Sequence, residues 1–244
     1  MSEAEVYGAV LAGGVGRRMG EGEKPKQYLH VGDRPILIHT LERFLEVAGF
    51  RRVIVLCPDS WLSYTEELIR EYLPEETCKR VAVIAGGETR NETIMRAIDH
   101  IESEEALDEK TILVTHDAAR PFVTGRILKE NIRLAGETGA CNTVIPATDT
   151  IAVSEDGATI TQIPERSRLY TVQTPQTFLA KKLKRLYESL TEEEKATLTD
   201  AATIFVMKGE RVSIVEGEVF NIKITYPFDL QVAEAWIGES RKPT

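Results

Sequence analysis

Four short stretches of this chain carry residue types that could handle a chain of phosphates. The first is Leu11-Ala12-Gly13-Gly14-Val15-Gly16-Arg17-Arg18-Met19-Gly20. Glycines directly after an apolar run let the backbone approach a ligand closely and turn its N–H groups toward phosphate oxygens. The loop matches neither common phosphate loop. Gly14-Val15-Gly16-Arg17-Arg18-Met19 ends in methionine where a dinucleotide fingerprint needs glycine, and no Walker-type GxxxxGK run occurs. The adjacent arginines suggest phosphates held by side-chain charge as well as by backbone; a plain tight turn is the alternative. The second stretch is Lys24-Pro25-Lys26-Gln27, where proline stiffens the backbone that presents Lys26. A solvated loop lysine is the alternative there. The third is His116-Asp117-Ala118-Ala119-Arg120-Pro121. A carboxylate beside phosphates is electrostatically unfavourable unless a cation lies between them. Mg²⁺ is the natural mediator, because it is held by one or two carboxylates plus substrate phosphates. The alternative is an aspartate that caps a turn. The fourth is Asn221-Ile222-Lys223-Ile224-Thr225, where strand alternation would turn Lys223 away from its two isoleucine neighbours.

These stretches need elements to position them. Val6–Leu11 is a short apolar run that reads as a buried strand feeding the glycine loop. Further strands are expected at residues 52–57, 80–85, 111–115, 143–147, 211–215 and 220–224. Helices are expected where apolar residues repeat on one face: Leu37, Leu41, Phe44, Leu45 and Ala48, then Trp61, Leu68, Ile69, Tyr72 and Leu73 up to Pro74. Others are expected at 91–101, 126–137, 178–190, 201–207 (capped by Thr199 or Asp200) and 229–237. Strand alternating with helix predicts a parallel sheet covered on both faces. Asp117 and Gly13-Gly14 then lie at strand carboxyl ends, where open α/β sheets bind ligands. The rhythm breaks at residues 148–171. Two β-rich pieces, 150–154 and 159–163, flank Glu155-Asp156-Gly157, a hairpin signal. This segment reads as an arm leaving the sheet, too small for a domain, so one domain with an arm at about 148–172 is expected.

Composition narrows the function classes. The 244 residues carry 30 Lys and Arg against 39 Asp and Glu, a formal charge of −9, which argues against a nucleic-acid polymer as partner. A small polyanion remains possible if cations gather locally against the global field. With 42% hydrophobic and 28% charged residues, disorder is excluded as the main state. No apolar run approaches the ~18 residues that span a bilayer, and the acidic N-terminal stretch lacks the basic region of a signal peptide, so a cytoplasmic location is expected. Cys57, Cys78 and Cys141 have no CxxC spacing and read as reduced, partly buried thiols. The four histidines show no ligand spacing, which disfavours a histidine metal site.

Taken in order, the motifs resemble one family. Leu-Ala-Gly-Gly-x-Gly-x-Arg-Met-Gly, Pro-Lys-Gln, Gly-Gly-x-x-Arg, His-Asp-x-x-Arg-Pro, Thr-Pro-Gln, Thr-Asp-Ala and Asn-Ile-Lys-Ile-Thr are similar to the polyol-phosphate cytidylyltransferases, from Tyr7 to about Ile237. The resemblance implies an α/β, Rossmann-like three-layer sandwich with a mostly parallel sheet. It also implies a homodimer whose β-arms reach across, and transfer of CMP from CTP to a polyol phosphate with release of pyrophosphate. By position, Leu11, Ala12, Gly13, Gly14 and Gly16 would form the nucleotide loop. Arg18 and Lys26 would contact the triphosphate and the transition state. Gly87, Glu88 and Thr93 would lie at cytosine and ribose, and Asp117 would hold Mg²⁺. Lys223 would bind phosphate near the reacting centre. Ala118, Arg120, Thr174 and Thr199 would form the polyol pocket, and Thr150 and Arg166 would serve the partner subunit's site.

Two branches of that family differ in the acceptor. Glu165-Arg166-Ser167 stands where the methylerythritol branch often has Asp-Arg-Asn, and the stretch after Thr199-Asp200 lacks a later glutamate. Residues 33–40, the Trp61 region and residues 170–178 look closer to the ribitol-phosphate branch. Ribitol 5-phosphate, giving CDP-ribitol for a teichoic-acid-type polymer, is therefore the first expectation. The alternative is 2-C-methyl-D-erythritol 4-phosphate, an isoprenoid precursor. A non-catalytic nucleotide-binding protein on the same fold is the contrasting class.

Overall fold

The computed structural model describes residues 4–14 and 24–240. Among these, a seven-stranded sheet forms the centre. In spatial order it runs β5 (Val81–Ala85), β4 (Phe50–Cys57), β1 (Val6–Leu11), β6 (Ile112–Asp117), β8 (Tyr170–Leu179), β7 (Ala140–Pro146) and β9 (Ser213–Glu216). A separate small ribbon pairs β2 (His30–Val31) with β3 (Arg34–Pro35). Neighbours in the large sheet are parallel except around β8, which is antiparallel to both β6 and β7. The chain lays down β1, β4 and β5 outward in one direction, then returns to the other side of β1 for β6. Sheet growth thus reverses beside β1, and the register there sets Leu11 opposite Asp117. Such a switch point opens a crevice at the strand carboxyl ends.

Both faces of the sheet are buried, which explains its continuous apolar strands. In β4, Val53 and Val55 turn to one face and Ile54 and Leu56 to the other, all fully buried. On the first face Phe44 of α1 (Ile36–Leu45), Leu68 of α2 (Leu62–Tyr72) and Leu128 of α5 (Gly125–Thr138) join them. On the second, Ile94 and Ile98 of α4 (Arg90–Glu104), Leu183 of α6 (Ala180–Glu188) and Phe205 of α8 (Ala201–Met207) do so. Two short helices, α3 (Glu75–Cys78) and α7 (Glu192–Ala196), and the closing helix α9 (Pro227–Ser240) lie between and after these. Thr124 caps the start of α5, and Gly139, at φ 91°, closes it in the left-handed conformation that glycine adopts without strain. Of the two expected caps for α8, Asp200 is the one used: its carboxylate accepts the N–H of Thr203.

Three features depart from the sequence expectation. First, β8 is a central strand that no apolar run announces. Most of its buried positions are polar and take partners from distant elements: Thr174 meets His116, Gln176 donates to Asp200, and Thr177 donates to Asn131. Pro175 lies where the β7 register shifts, the place a proline can occupy inside a sheet. The helix expected from residue 178 accordingly begins only at Ala180. Second, residues 220–224 form no strand, although Ile222, Lys223 and Ile224 alternate as one would. The segment is held instead by single bonds, from Ile224 N–H to the carbonyl of Ala119 (2.9 Å) and from Lys26 Nζ to the carbonyl of Ile224 (2.8 Å). Third, the arm holds one bridge, Val153 with Gln162, rather than two full strands. Its Asp156-Gly157 turn forms as expected, with Gly157 at φ 72° and Asp156 accepting the N–H groups of Ala158 and Thr159. Ile160 and Ile163 remain 66% and 62% exposed, so the arm has almost nothing of its own chain to pack on.

Candidate active site

A cavity of about 510 Å³ opens at the switch point. That is within the usual range for small-molecule sites. Its walls come from five stretches of the chain, Lys26 and Gln27 among them. Leu11, Gly13 and Gly14 follow β1, and among the described residues a side chain at Gly13 would meet only open space. Gly87, Glu88 and Thr93 come from the β5–α4 connection, where Thr89 and Glu92 form a reciprocal capping box. Gly87 donates its N–H to Thr93 Oγ1 (3.0 Å), and a Cβ at Gly87 would stand 2.5 Å from Glu92 Cβ, so only glycine fits this turn. Asp117, Ala118 and Ala119 follow β6, and Lys223 and Thr225 follow β9.

Lys26 is no solvated loop residue. It sits in a single 3₁₀ turn, Lys26–Tyr28, and is 9% exposed, with Nζ on the carbonyl of Ile224. Buried ammonium groups are rare unless something in the site requires them. Its neighbour Gln27 ties down the carbonyl of Ala12, so Ala12 lies behind the cavity wall rather than on it.

Asp117 is the electrostatic centre. Its side chain is 8% exposed and three cations surround it. Arg90 Nη1 donates to Oδ1, Lys223 Nζ donates to Oδ2 at 2.7 Å, and Arg120 Nε stands 3.8 Å from Oδ2. Burial alone would raise its pKa. Arg90 first, then Lys223 and Arg120, outweigh that and hold the carboxyl well below the usual range. The balance of the cluster is two positive charges in excess, which is what a polyanion needs.

His116 is fully buried beside it, and burial pushes its pKa from 6.5 down to about 4. The neutral ring then has one consistent hydrogen-bond pattern. Nε2–H donates to the Arg120 carbonyl (3.0 Å), the Thr174 hydroxyl donates to Nδ1 (2.9 Å), and Asp117 N–H donates to Thr174 Oγ1 (3.1 Å). His116 therefore braces the Asp117–Arg120 turn, and the role expected for Thr174 begins as support for that turn. A folded-state pKa below the unfolded value means that the unfolded chain takes up the proton first. His116's contribution is whole above about pH 6.5 and is lost as pH falls toward 4, up to roughly 3 kcal/mol. Urea denaturation at pH 7 and pH 5 should show this loss, and His116→Gln should flatten it. An equal pH slope in the variant would assign the loss elsewhere.

The remaining expected residues divide into three groups. Arg120 adjoins Asp117 and donates to the Asn221 carbonyl (2.7 Å), just behind the cavity wall. Thr150, Arg166 and Thr199 do not line the cavity: the first two are on the exposed arm, where Arg166 donates to the Thr148 carbonyl, and Thr199 is exposed before α8. Gly16 and Arg18, with Arg17, lie outside the described residues. Arg90 was not foreseen. Only its motif position in Gly-Gly-x-x-Arg marked it.

A pocket at a sheet switch point, with excess positive charge around one buried carboxylate, gathers anions and holds them in line, which is the work of a nucleotidyltransferase. A family model described as IspD, 2-C-methyl-D-erythritol 4-phosphate cytidylyltransferase, matches residues 6–239. The chain belongs to that family and is a CTP-dependent cytidylyltransferase. Solved structures agree. The 2-C-methyl-D-erythritol 4-phosphate cytidylyltransferase from Thermus thermophilus is 28% identical, with a TM-score of 0.69 over 96% of this chain and 98% of that one. The 4-diphosphocytidyl-2C-methyl-D-erythritol synthase from Anaerococcus prevotii is 25% identical, with a TM-score of 0.78 over 96% of both chains. The enzyme from Francisella tularensis, 24% identical with a TM-score of 0.76 over 96% of this chain and 99% of that one, supports the fold. Among the described residues, no helix is long and apolar enough to cross a membrane.

Proposed function

We propose that the chain transfers CMP from CTP to 2-C-methyl-D-erythritol 4-phosphate, releasing pyrophosphate. The observation that carries the reaction type is the cation cluster around Asp117 at the switch point. The match to the methylerythritol family favours this acceptor over ribitol 5-phosphate, the first expectation from sequence. Two of the departures that had pointed to ribitol, Glu165 and Ser167, flank Arg166 on the exposed arm and hydrogen-bond each other.

In this reading an oxygen of the acceptor phosphate attacks the α-phosphorus of CTP while the bond to pyrophosphate breaks. The nucleophile is already an anion, so no covalent enzyme intermediate is needed. What must be overcome is the repulsion of two anions and the alignment of attack. Lys26 and Lys223 would neutralise the triphosphate, together with Arg18 from the glycine loop. Gly13 and Gly14 would let the backbone approach it. Gly87, Glu88 and Thr93 would bound the base and ribose. Ala118 would face the acceptor, with Arg120 and Thr174 holding the turn behind it, and Thr199, outside the cavity wall, would reach the acceptor only if it extends beyond the cavity. Asp117 would hold a Mg²⁺ ion bound chiefly by substrate phosphates, with Lys223 giving up Oδ2 to it. It is the one buried carboxylate among the described residues of the cavity wall, and no cluster of three acidic, His or Cys ligands occurs among them. Bound there, the ion would supply Lewis-acid stabilisation of the phosphate oxygens.

We further propose a homodimer through the arm, with Thr150 and Arg166 serving the partner subunit's site. The exposed Ile160, Ile163, Tyr170 and Val172 support it. Mixing Lys26→Ala and Arg166→Ala chains, each impaired alone, should restore part of the turnover, because a mixed dimer holds one site with both residues intact. No recovery after subunit exchange would place Arg166 in its own chain's site or outside catalysis. The function itself is tested by pyrophosphate release with Mg²⁺, each of the four nucleoside triphosphates, and either acceptor. CTP with methylerythritol phosphate should be fastest. Faster turnover of ribitol phosphate would restore the other acceptor, and no release with CTP would end the reading.

A further inference from the structure

We propose that Arg90 is the positioning residue of this site and acts through Asp117. The inference rests on the nucleotidyltransferase reading above and adds to it a division of labour among the three cations. Arg90 opens α4 directly after the cap at Thr89. The capping box fixes that first turn, and Ile94, Ile98 and Ile101 anchor the helix in the core. The guanidinium therefore has a rigid root. It reaches from α4 to the carboxyl end of β6 and takes Asp117 Oδ1.

The other oxygen is held differently. Oδ2 accepts from Lys223, whose side chain is 38% exposed and stands on a segment without regular structure. Arg90 and Arg120 are more enclosed, at 25% and 12%. Both Arg90 and Lys223 line the cavity, but Lys223 is the more exposed and has the looser root, so it is the cation best placed to exchange Asp117 for an incoming phosphate. While it does so, Arg90 keeps the carboxylate from rotating. Arg90 also couples two walls of the cavity. The same turn of α4 that carries it fixes Gly87 through Thr93, so the wall expected to meet the base and the carboxylate at β6 share one anchor.

Four proteins test this: the unmodified chain, Arg90→Gln, Asp117→Asn and the double variant, with Arg90→Lys as a fifth. Each is measured for kcat, for CTP affinity by calorimetry and for thermal midpoint. Arg90→Gln should lower kcat about 10–100-fold and change CTP affinity by less than about threefold. Added to Asp117→Asn, it should lower kcat no further, because its effect passes through the carboxylate. Arg90→Lys should recover part of kcat, since it keeps the charge without the planar fork. Additive losses in kcat would overturn the proposal. So would a parallel loss of CTP affinity, which would make Arg90 a direct nucleotide ligand. If the unmodified chain releases no pyrophosphate from CTP, the functional reading fails, yet the midpoints still decide Arg90. The double variant should melt less far below the unmodified chain than the sum of the single drops, and additive drops would deny the pairing.

Discussion

Lys26→Ala should lower turnover by about 10²–10³-fold while the chain stays folded. Lys26 lines the cavity, is nearly buried, and holds its ammonium against the Ile224 carbonyl on the same segment that carries Lys223. Keeping a charged group there is unfavourable for folding, and a site that binds a triphosphate gives a reason to tolerate it. Removing it frees one carbonyl, which water entering the widened cavity can satisfy. The stability loss should therefore be modest, about 1–2 kcal/mol. Lys26→Met separates charge from packing, because it keeps most of the stem. It should be as slow as alanine and closer to the unmodified chain in its urea midpoint. Normal turnover in Lys26→Met would remove the ammonium from the mechanism.

Asp117→Asn should have the other large effect, and it has two opposite parts. Turnover should fall about 10²–10³-fold, since the group expected to place the metal and fix Lys223 is gone. Stability should fall by about 3–5 kcal/mol, because Arg90 and Arg120 lose the one anion they share in an enclosed place. Yet CTP binding without Mg²⁺ should hold or tighten, because the cluster now offers a polyanion three uncompensated cations instead of two in excess. Calorimetry with CTP in chelator reads that sign directly. Weaker binding there would show that Asp117 orders the cations for the nucleotide rather than competing with it.

What the sequence made legible follows from how local each signal is. The strand Val6–Leu11, its glycine loop and the aspartate at the end of β6 were readable because an apolar run, a glycine pair and a strand end are neighbours in the chain. β8 was not. Its buried Thr174, Gln176 and Thr177 are polar, and their partners are 24 to 58 residues away, so no window of the sequence contains the reason they are inside. Residues 220–224 failed in the opposite way. Their alternation is correct for a strand, but they join neither sheet, and Lys223 reaches the site without one. Arg90 fell just outside the helix expected at 91–101 and was marked only by its place in Gly-Gly-x-x-Arg. Its importance appears only when α4 and β6 meet. The ribitol expectation came from scattered differences, at residues 33–40, around Trp61, at 165–167, at 170–178 and after Asp200, and local likeness of this kind does not say which of them meets the acceptor.

β8 has one more consequence. It begins at Tyr170, at the base of the arm, and a few residues further on it supports the aspartate turn through Thr174. At ~3.3 Å per residue that is about 13 Å of extended chain. Arm and carboxylate are therefore joined by one short run of β8, held to β7 at Tyr170, Thr171 and Val172 and to β6 only from Gln176 onward. In the dimer proposed above, a push on the arm would reach the turn that carries Asp117 and Arg120, and protein concentration, by setting how often arms dock, would then act on the quality of the site as well as on the number of dimers.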